Sequence, residues 1–138
     1  MATFGRLLRV DLTAGRWAEE EVPAAWVEAC IGGSALAARL LWESLRPEVD
    51  PLGPENPLLF ATGPLTGTAG PAVGRFTVCA RSPATARWGE SNCGGFWGPE
   101  LRAAGYDMLW IEGRAPEPVY LWIQDGQVAL RPADHLWG

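Results

Sequence analysis

The stretch FGRLLRVDLTAGRWAEEEVPAAWVEACIGGSALAARLLWESL, residues 4–45, decides the fold class. Its first half mixes apolar and charged residues across 4–13 and again across 16–22, as half-buried strands do. Ala14 and Gly15 between these runs are typical of a tight turn. We therefore expect the chain to begin with a β-hairpin.

Two helices are predicted directly after this hairpin. Pro23 is a residue that commonly opens a helix, and the glycine pair 32–33 interrupts it. Ser34 is then expected to cap a second helix over 35–45. Because that segment has only two charged residues, placed four positions apart, we expect it to expose one narrow stripe and bury the rest.

The remainder of the chain predicts short strands and one more helix. That helix begins near Gly94 or Gly98 and ends at Gly105. Strands are expected at 57–62, 75–80, 108–111, 119–123 and 128–130. Because strands and helices alternate irregularly, the fold class is α+β: short antiparallel strands packed with two or three helices in a single domain, residues 1–138.

Composition excludes several classes of protein. The net charge is −5, which speaks against nucleic-acid binding, and all 11 basic residues are arginine. No apolar run approaches the ~20 residues that span a bilayer, so we expect no membrane segment. The three cysteines fit no zinc or iron–sulfur ligand spacing, and a reduced, cytoplasmic protein is the expectation.

The central segment between Glu55 and Glu90 lacks acidic residues and contains three arginines. Glycines recur on both sides of Arg75, and small residues let backbone N–H groups approach an anion closely. Arginine binds phosphate through two parallel hydrogen bonds. The segment therefore predicts a phosphate cradle, although glycine-rich loops are more often simple turns.

Asn92 has two interpretations from the residues alone. Its amide oxygen is a hard ligand suited to Mg²⁺, and its NH₂ group can donate to a phosphate. Asn is also a favoured helix cap, and the spacing to the following helix slightly favours that role.

Six ordered motifs resemble one known family. They are DPLGPEN at 50–56, TGPLTGT at 62–68, RSP at 81–83, SNCGG at 91–95, PELRAAGYD at 99–107 and HLWG at 135–138. Together they resemble the N-terminal domain of the tungsten-containing aldehyde ferredoxin oxidoreductases. The resemblance runs through essentially the whole chain.

The resemblance implies a set of cofactor-binding residues. Arg75 matches the family arginine that grips the phosphates of a bis-pterin cofactor, and Asn92 matches the asparagine that reaches the bridging Mg²⁺. The candidate cofactor-binding residues are Arg75, Asn92, Cys93, Gly94, Gly95 and, more remotely, Arg81. Ser34 and Ala35 stand where many members read Arg-Gly, so this chain is expected to lack that positive charge.

The resemblance also implies an enzyme of which this chain would be one part. The expected cofactors are a tungsten or molybdenum bis-pterin and Mg²⁺, and the expected reaction oxidises aldehydes to carboxylic acids with ferredoxin as electron acceptor. The iron–sulfur cluster and substrate pocket are expected in missing domains or a companion subunit, so a chain truncated here would be inactive alone; a homo-oligomer is also compatible. The alternative is a stand-alone, non-catalytic module that binds pterin or docks a partner.

Overall fold

A computed structural model describes residues 4–138. Its strands and helices follow the predicted order, with one strand added. The elements are β1 (Arg6–Asp11), β2 (Arg16–Glu21), α1 (Ala24–Cys30), α2 (Gly33–Ser44), β3 (Leu58–Thr62), β4 (Phe76–Arg81), β5 (Trp88–Cys93), α3 (Trp97–Ala103), β6 (Met108–Glu112), β7 (Val119–Gln124) and β8 (Gln127–Pro132). A single 3-10 turn, Asp134–Leu136, follows β8.

Six strands form the main sheet in the order β2-β1-β6-β3-β4-β5, and β7 and β8 form a separate hairpin. Among the strands of residues 4–138, only β1 and β6 run parallel to each other; the other pairs are antiparallel. The predicted α+β class, with short and mainly antiparallel strands, is confirmed. The order places β2 and β5 at opposite edges of the sheet.

The core has two layers, one on each face of the main sheet. On one face α1 and α2 cover the sheet, and Leu36, Leu59 and Trp110 lie in the cluster between them. On the other face α3 and the β7–β8 hairpin pack around Leu8 and Leu109. Because both faces are covered, the sheet leaves mainly its edges and the loops at its ends free for binding.

Two predictions about α2 are wrong. The helix begins at Gly33 after the N-cap residue Gly32, and Ser34 makes no cap hydrogen bond. The helix also buries a single stripe, whereas Trp42 on the outer side is 83% exposed. Apolar composition alone predicts burial, but α2 has one sheet to pack against, so its outer face stays open.

The strand β5 was not predicted. Its sequence, WGESNC, lacks the alternation of apolar and polar residues by which a half-buried strand is recognised. Most of its residues are exposed. It is an edge strand that forms by hydrogen bonding to β4, in a register that pairs Thr77 with Asn92. The helix α3 begins at Trp97 with Phe96 as its N-cap, so the interpretation of Asn92 as a helix cap is wrong.

Candidate functional site

The β4–β5 pair brings Arg75 and Asn92 to one cleft. Arg75 directly precedes β4, and Asn92 is the next-to-last residue of the neighbouring β5. The cleft has a volume of about 430 Å³, and both residues line it together with Thr77 and the loop after β3. Both side chains are exposed. The predicted cradle requires Arg75 and Asn92 to lie on the same side of the molecule. Although distant in sequence, the two residues do lie on one concave surface.

A second cleft, of about 560 Å³, adjoins the first at Arg75. Gly74, Gly94 and Gly95 line it. A Cβ atom on Gly74 would lie 2.5 Å from the carbonyl oxygen of Gly95, so only glycine permits this approach of the two loops. Gly94 and Gly95 themselves have open space where a side chain would be, which leaves their backbone accessible.

Hydrogen bonds within the glycine-rich loop hold Arg75 in place. The buried Thr66 hydroxyl donates to the carbonyl oxygen of Arg75 at 2.9 Å and accepts from the N–H of Gly63 at 3.1 Å. The N–H of Gly67 donates to the carbonyl oxygen of Val73 at 3.1 Å. The loop is therefore closed on itself, and the backbone from which the Arg75 side chain extends is fixed.

The guanidinium of Arg75 makes no hydrogen bond or ion pair with any residue in 4–138. By contrast, Arg6, Arg9 and Arg39 each bind a carboxylate at 2.8 Å. Arg75 is exposed and belongs to the segment without acidic residues. Its charge is consequently available to an anion in either cleft.

Glu90 lies beside Asn92 and was not among the predicted site residues. Its Oε1 accepts from the Ser34 hydroxyl at 2.8 Å and from Asn92 Nδ2 at 3.0 Å, and its Oε2 accepts from Trp88 Nε1 at 3.3 Å. The bond from Ser34 is the main reason that the pKa of Glu90 lies below its ordinary value. Without β5, the sequence offers no reason to place residues 90 and 92 on one face.

Two residues at the cleft have backbone conformations unusual for side chains with a Cβ. Ile31 has φ 66° and ψ −56°, and the N–H of Gly32 donates to the carbonyl of Cys30 at 2.7 Å, which closes a strained γ-turn. Ala72 has φ 57°. Both line the first cleft, and such strain is characteristic of binding sites.

The remaining predicted residues are distributed differently. Cys93 ends β5, and by strand alternation its side chain lies on the other face from that of Asn92. Arg81 lies at the far end of β4 from Arg75. Its guanidinium donates to the backbone carbonyls of Pro47, Val49 and Ala86, so the structure does not bring it to the cleft.

The donors at the cleft suit a phosphorylated ligand with a hard cation. A guanidinium and exposed glycine N–H groups suit phosphate oxygens, and an amide oxygen suits Mg²⁺. Within residues 4–138 there is no group of three His, Cys, Asp or Glu side chains placed to hold a metal ion. Mg²⁺ needs only one or two protein ligands when phosphates and water supply the others, so the arrangement fits such an ion.

Comparison with known proteins shows the family. A family model described as the N-terminal domain of aldehyde ferredoxin oxidoreductase matches residues 7–138. The tungsten-containing aldehyde ferredoxin oxidoreductase of Pyrococcus furiosus is 44% identical over 135 residues, covering 98% of this chain and 22% of that protein. The enzyme of the same name from Thermococcus kodakarensis is also 44% identical, over the same shares. The chain belongs to the aldehyde ferredoxin oxidoreductase family.

Two further relatives have other names. The WOR-like subunit of an aliphatic sulfonate oxidoreductase from Pyrococcus furiosus is 40% identical over 97% of this chain and 22% of that protein. The active-site complex BamBC of benzoyl coenzyme A reductase, solved with 1,5-dienoyl-CoA, superposes with a TM-score of 0.94 at 42% identity. That match covers 97% of this chain and 20% of the other. The chain thus spans about a fifth of the length of the relatives it matches.

None of the helices in residues 4–138 is long and apolar enough to cross a membrane.

Proposed function

We propose that residues 1–138 form the cofactor-cradling domain of a tungsten or molybdenum bis-pterin oxidoreductase. The observation that carries this proposal is the position of Arg75 and Asn92 on one cleft. Family membership supports it, since relatives of this chain are named as tungsten-containing enzymes. In this role the domain binds and orients the cofactor and performs no proton chemistry itself.

Each residue of the cradle has a separate task. Arg75, which has no carboxylate partner in residues 4–138, neutralises the phosphates through its guanidinium. The backbone N–H groups of Gly94 and Gly95 complete the anion site, with Cys93 beside them. Asn92 would be the residue that supplies an oxygen ligand to a Mg²⁺ ion bound with the phosphates. Arg81 acts only indirectly, by holding through its carbonyl contacts the loop that follows α2.

The bound metal would supply the redox chemistry, and the proposed reaction is oxidation of aldehydes to carboxylic acids with transfer of electrons to ferredoxin. The names of the aldehyde ferredoxin oxidoreductase relatives support this reaction. An iron–sulfur cluster and a substrate pocket would then lie in further domains or a companion subunit. We propose the cytoplasm as the location.

A second candidate is a reductive reaction on a thioester substrate. The 42% identity to the benzoyl coenzyme A reductase complex is close to the 44% identity to the aldehyde oxidoreductases. The cradle itself would serve either reaction, because its donors bind phosphates rather than substrate.

Replacing Arg75 by alanine tests the cradle. We expect Arg75→Ala to weaken binding of inorganic pyrophosphate to the full chain about tenfold or more, because hydrogen bonds to charged groups contribute roughly 1.5–3 kcal/mol. The exposed side chain packs into no core, so the melting temperature should stay unchanged. Isothermal titration calorimetry and thermal unfolding measure the two quantities.

Arg87→Ala is the matched control. Arg87 is another exposed arginine of the same acid-free segment, but it lines a different cleft beside α2. It should leave pyrophosphate binding unchanged. Equal losses of pyrophosphate affinity in both variants would mean that the effect depends on net charge alone. An unchanged affinity in Arg75→Ala would contradict the proposed function.

A further inference from the structure

A third cleft, here called the α2–β5 cleft, lies between α2 and the turn that joins β4 to β5. It is at the end of β4 away from Arg75 and has a volume of about 780 Å³. Its lining is mainly apolar and includes Leu41, Trp42 and Trp88. Because it shares no lining residue with the two clefts around Arg75, it is a separate surface of the molecule.

The guanidinium of Arg81 holds the two walls of the α2–β5 cleft together. On one side it donates to the carbonyls of Pro47 and Val49 in the loop after α2, at 2.9 Å for Val49. On the other side it donates to the carbonyl of Ala86 in the β4–β5 turn at 3.0 Å. The cleft is therefore formed before any ligand binds, which lowers the entropic cost of binding.

Two tryptophans flank the opening of the cleft. Trp42 on α2 is 83% exposed and Trp88 on β5 is 42% exposed, so both indoles keep much of their apolar surface in water. The Nε1 of Trp88 donates to Glu90 Oε2 at 3.3 Å, which gives this ring a defined orientation. Trp and Arg are enriched among the residues that carry the binding energy of protein interfaces. The lining of the cleft has the same composition.

The charges at the cleft define the chemistry of the partner. Arg46, Arg81 and Arg87 line it, and none of the three forms an ion pair with a carboxylate of residues 4–138. Glu43 on α2 is already bound by Arg39 at 2.8 Å. Uncompensated positive charge favours a partner with carboxylates. The net charge of −5 disfavours a nucleic acid, which leaves an acidic polypeptide.

We propose that the α2–β5 cleft docks an acidic polypeptide segment. One large apolar side chain of the partner enters between Trp42 and Trp88, and carboxylates on either side of it pair with Arg46 and Arg87. Docking does not depend on a cofactor at Arg75, because the two sites have no residue in common. Inorganic pyrophosphate has no apolar group and should not bind in this cleft.

Peptides that differ in one property test the apolar and the charged part of this surface separately. The probe is the acetylated and amidated peptide EEFEE, titrated into the full ¹⁵N-labelled chain of 138 residues. The indole Nε1–H signals of Trp42 and Trp88 should shift. The peptide EEAEE, which lacks the anchor, should bind about tenfold more weakly, and KKFKK, which has the opposite charge, should not bind.

Substitutions in the cleft give the matched comparison. Trp42→Ala should weaken binding of EEFEE about tenfold or more. Arg46→Ala should weaken it about two- to fivefold, since exposed ion pairs contribute less. Trp17→Ala and Arg114→Ala are the controls, because both residues are exposed and lie outside the cleft. Both cleft variants change exposed side chains, so their melting temperatures should stay close to that of the wild type.

Four results would overturn the proposal. They are unchanged indole signals at about 1 mM EEFEE, equal binding of EEFEE and either comparison peptide, equal losses in Trp17→Ala and Trp42→Ala, and a ligand-free chain that dimerises unless Trp42 is replaced. The last result, measured by analytical ultracentrifugation, would assign the cleft to a second copy of this chain.

Discussion

Ile31 illustrates at the scale of one residue how the cleft departs from the most stable local structure. Its γ-turn at positive φ is unfavourable for any residue with a Cβ and especially for a β-branched one. The side chain is 67% exposed at the cleft, so it gains little from packing. The strain is therefore uncompensated locally, as expected where a binding surface fixes the backbone.

Replacing Ile31 by glycine should stabilise the protein. Strain of this kind costs about 1–3 kcal/mol, and the greater freedom of glycine in the unfolded chain returns roughly 0.5–1 kcal/mol of that. We therefore expect Ile31→Gly to raise the free energy of unfolding by about 1 kcal/mol. Urea denaturation measures the change.

Leu52→Gly provides the comparison, because Leu52 is also exposed in a turn, at 83%, but is not among the residues with positive φ. It should destabilise the protein by roughly 0.5–1 kcal/mol. A destabilised Ile31→Gly protein would show that the turn is not strained.

Individual site residues were predictable to different degrees. Arg75 is identifiable because it is a cation in a segment without acids, and glycines surround it. Asn92 remained ambiguous between a cap and a ligand until β5 placed it opposite Thr77. Glu90 was missed, because its place beside Asn92 is fixed in part by a hydrogen bond from Ser34 on a distant helix. Contacts between residues far apart in sequence leave no local pattern.

At the scale of elements, Tyr106 joins the turn after α3 to the edge strand β2. The hydroxyl of this buried residue donates to Glu19 Oε1 at 2.7 Å, and Arg6 binds Oε2 of the same carboxylate at 2.8 Å. Burial, and then the contact with Glu19, raise the pKa of Tyr106 to about 12. The bond from Tyr106, followed by that from Arg6, lowers the pKa of Glu19.

The shift predicts a loss of stability at high pH. Because folding raises the pKa of Tyr106 from 10.0 to about 12, its contribution is complete below pH 10 and is lost as the pH rises through about 12. Tyr106→Phe should lower the free energy of unfolding by about 1 kcal/mol at neutral pH. The difference between the two proteins should shrink between pH 10 and pH 12, measured by denaturation at each pH.

Cys79 titrates in an overlapping range, because burial raises the pKa of its thiol to about 12. Its contribution is common to the wild type and Tyr106→Phe, so it cancels in their difference. If the difference in unfolding free energy between the wild type and Tyr106→Phe stayed constant up to about pH 12, Tyr106 would be excluded as the source of the stability loss.

The elements themselves were predicted where apolar periodicity or turn residues define them. The β1–β2 hairpin, both helices that follow and the β7–β8 hairpin appear with bounds within a few residues of those expected. The failure at β5 has a physical cause, since a polar edge strand buries no side chains and is held by backbone pairing with β4. The exposed Trp42 has a related cause, because a helix buries only the face that meets another layer.

For the whole molecule, strand order converts a charge pattern in the sequence into a separation in space. The acidic residues 19–21 lie on β2, at one edge of the main sheet, and the acid-free segment ends in β5 at the other. Arg75, which we propose binds phosphate, thus lies far in strand order from the acidic edge strand β2. Local patterns predict the segment, whereas its distance from β2 follows only from the topology.

Mapping a paramagnetic cation on the full chain tests the central claim most directly. Mn²⁺ is added to the ¹⁵N-labelled protein in the presence of pyrophosphate, and broadening of backbone amide signals reports proximity to the ion. The cradle predicts the strongest broadening at residues 74–75 and 92–95, with the amides of β2 unaffected. Broadening centred on the acidic residues 19–21, with the signals at Arg75 and Asn92 unchanged, would contradict it.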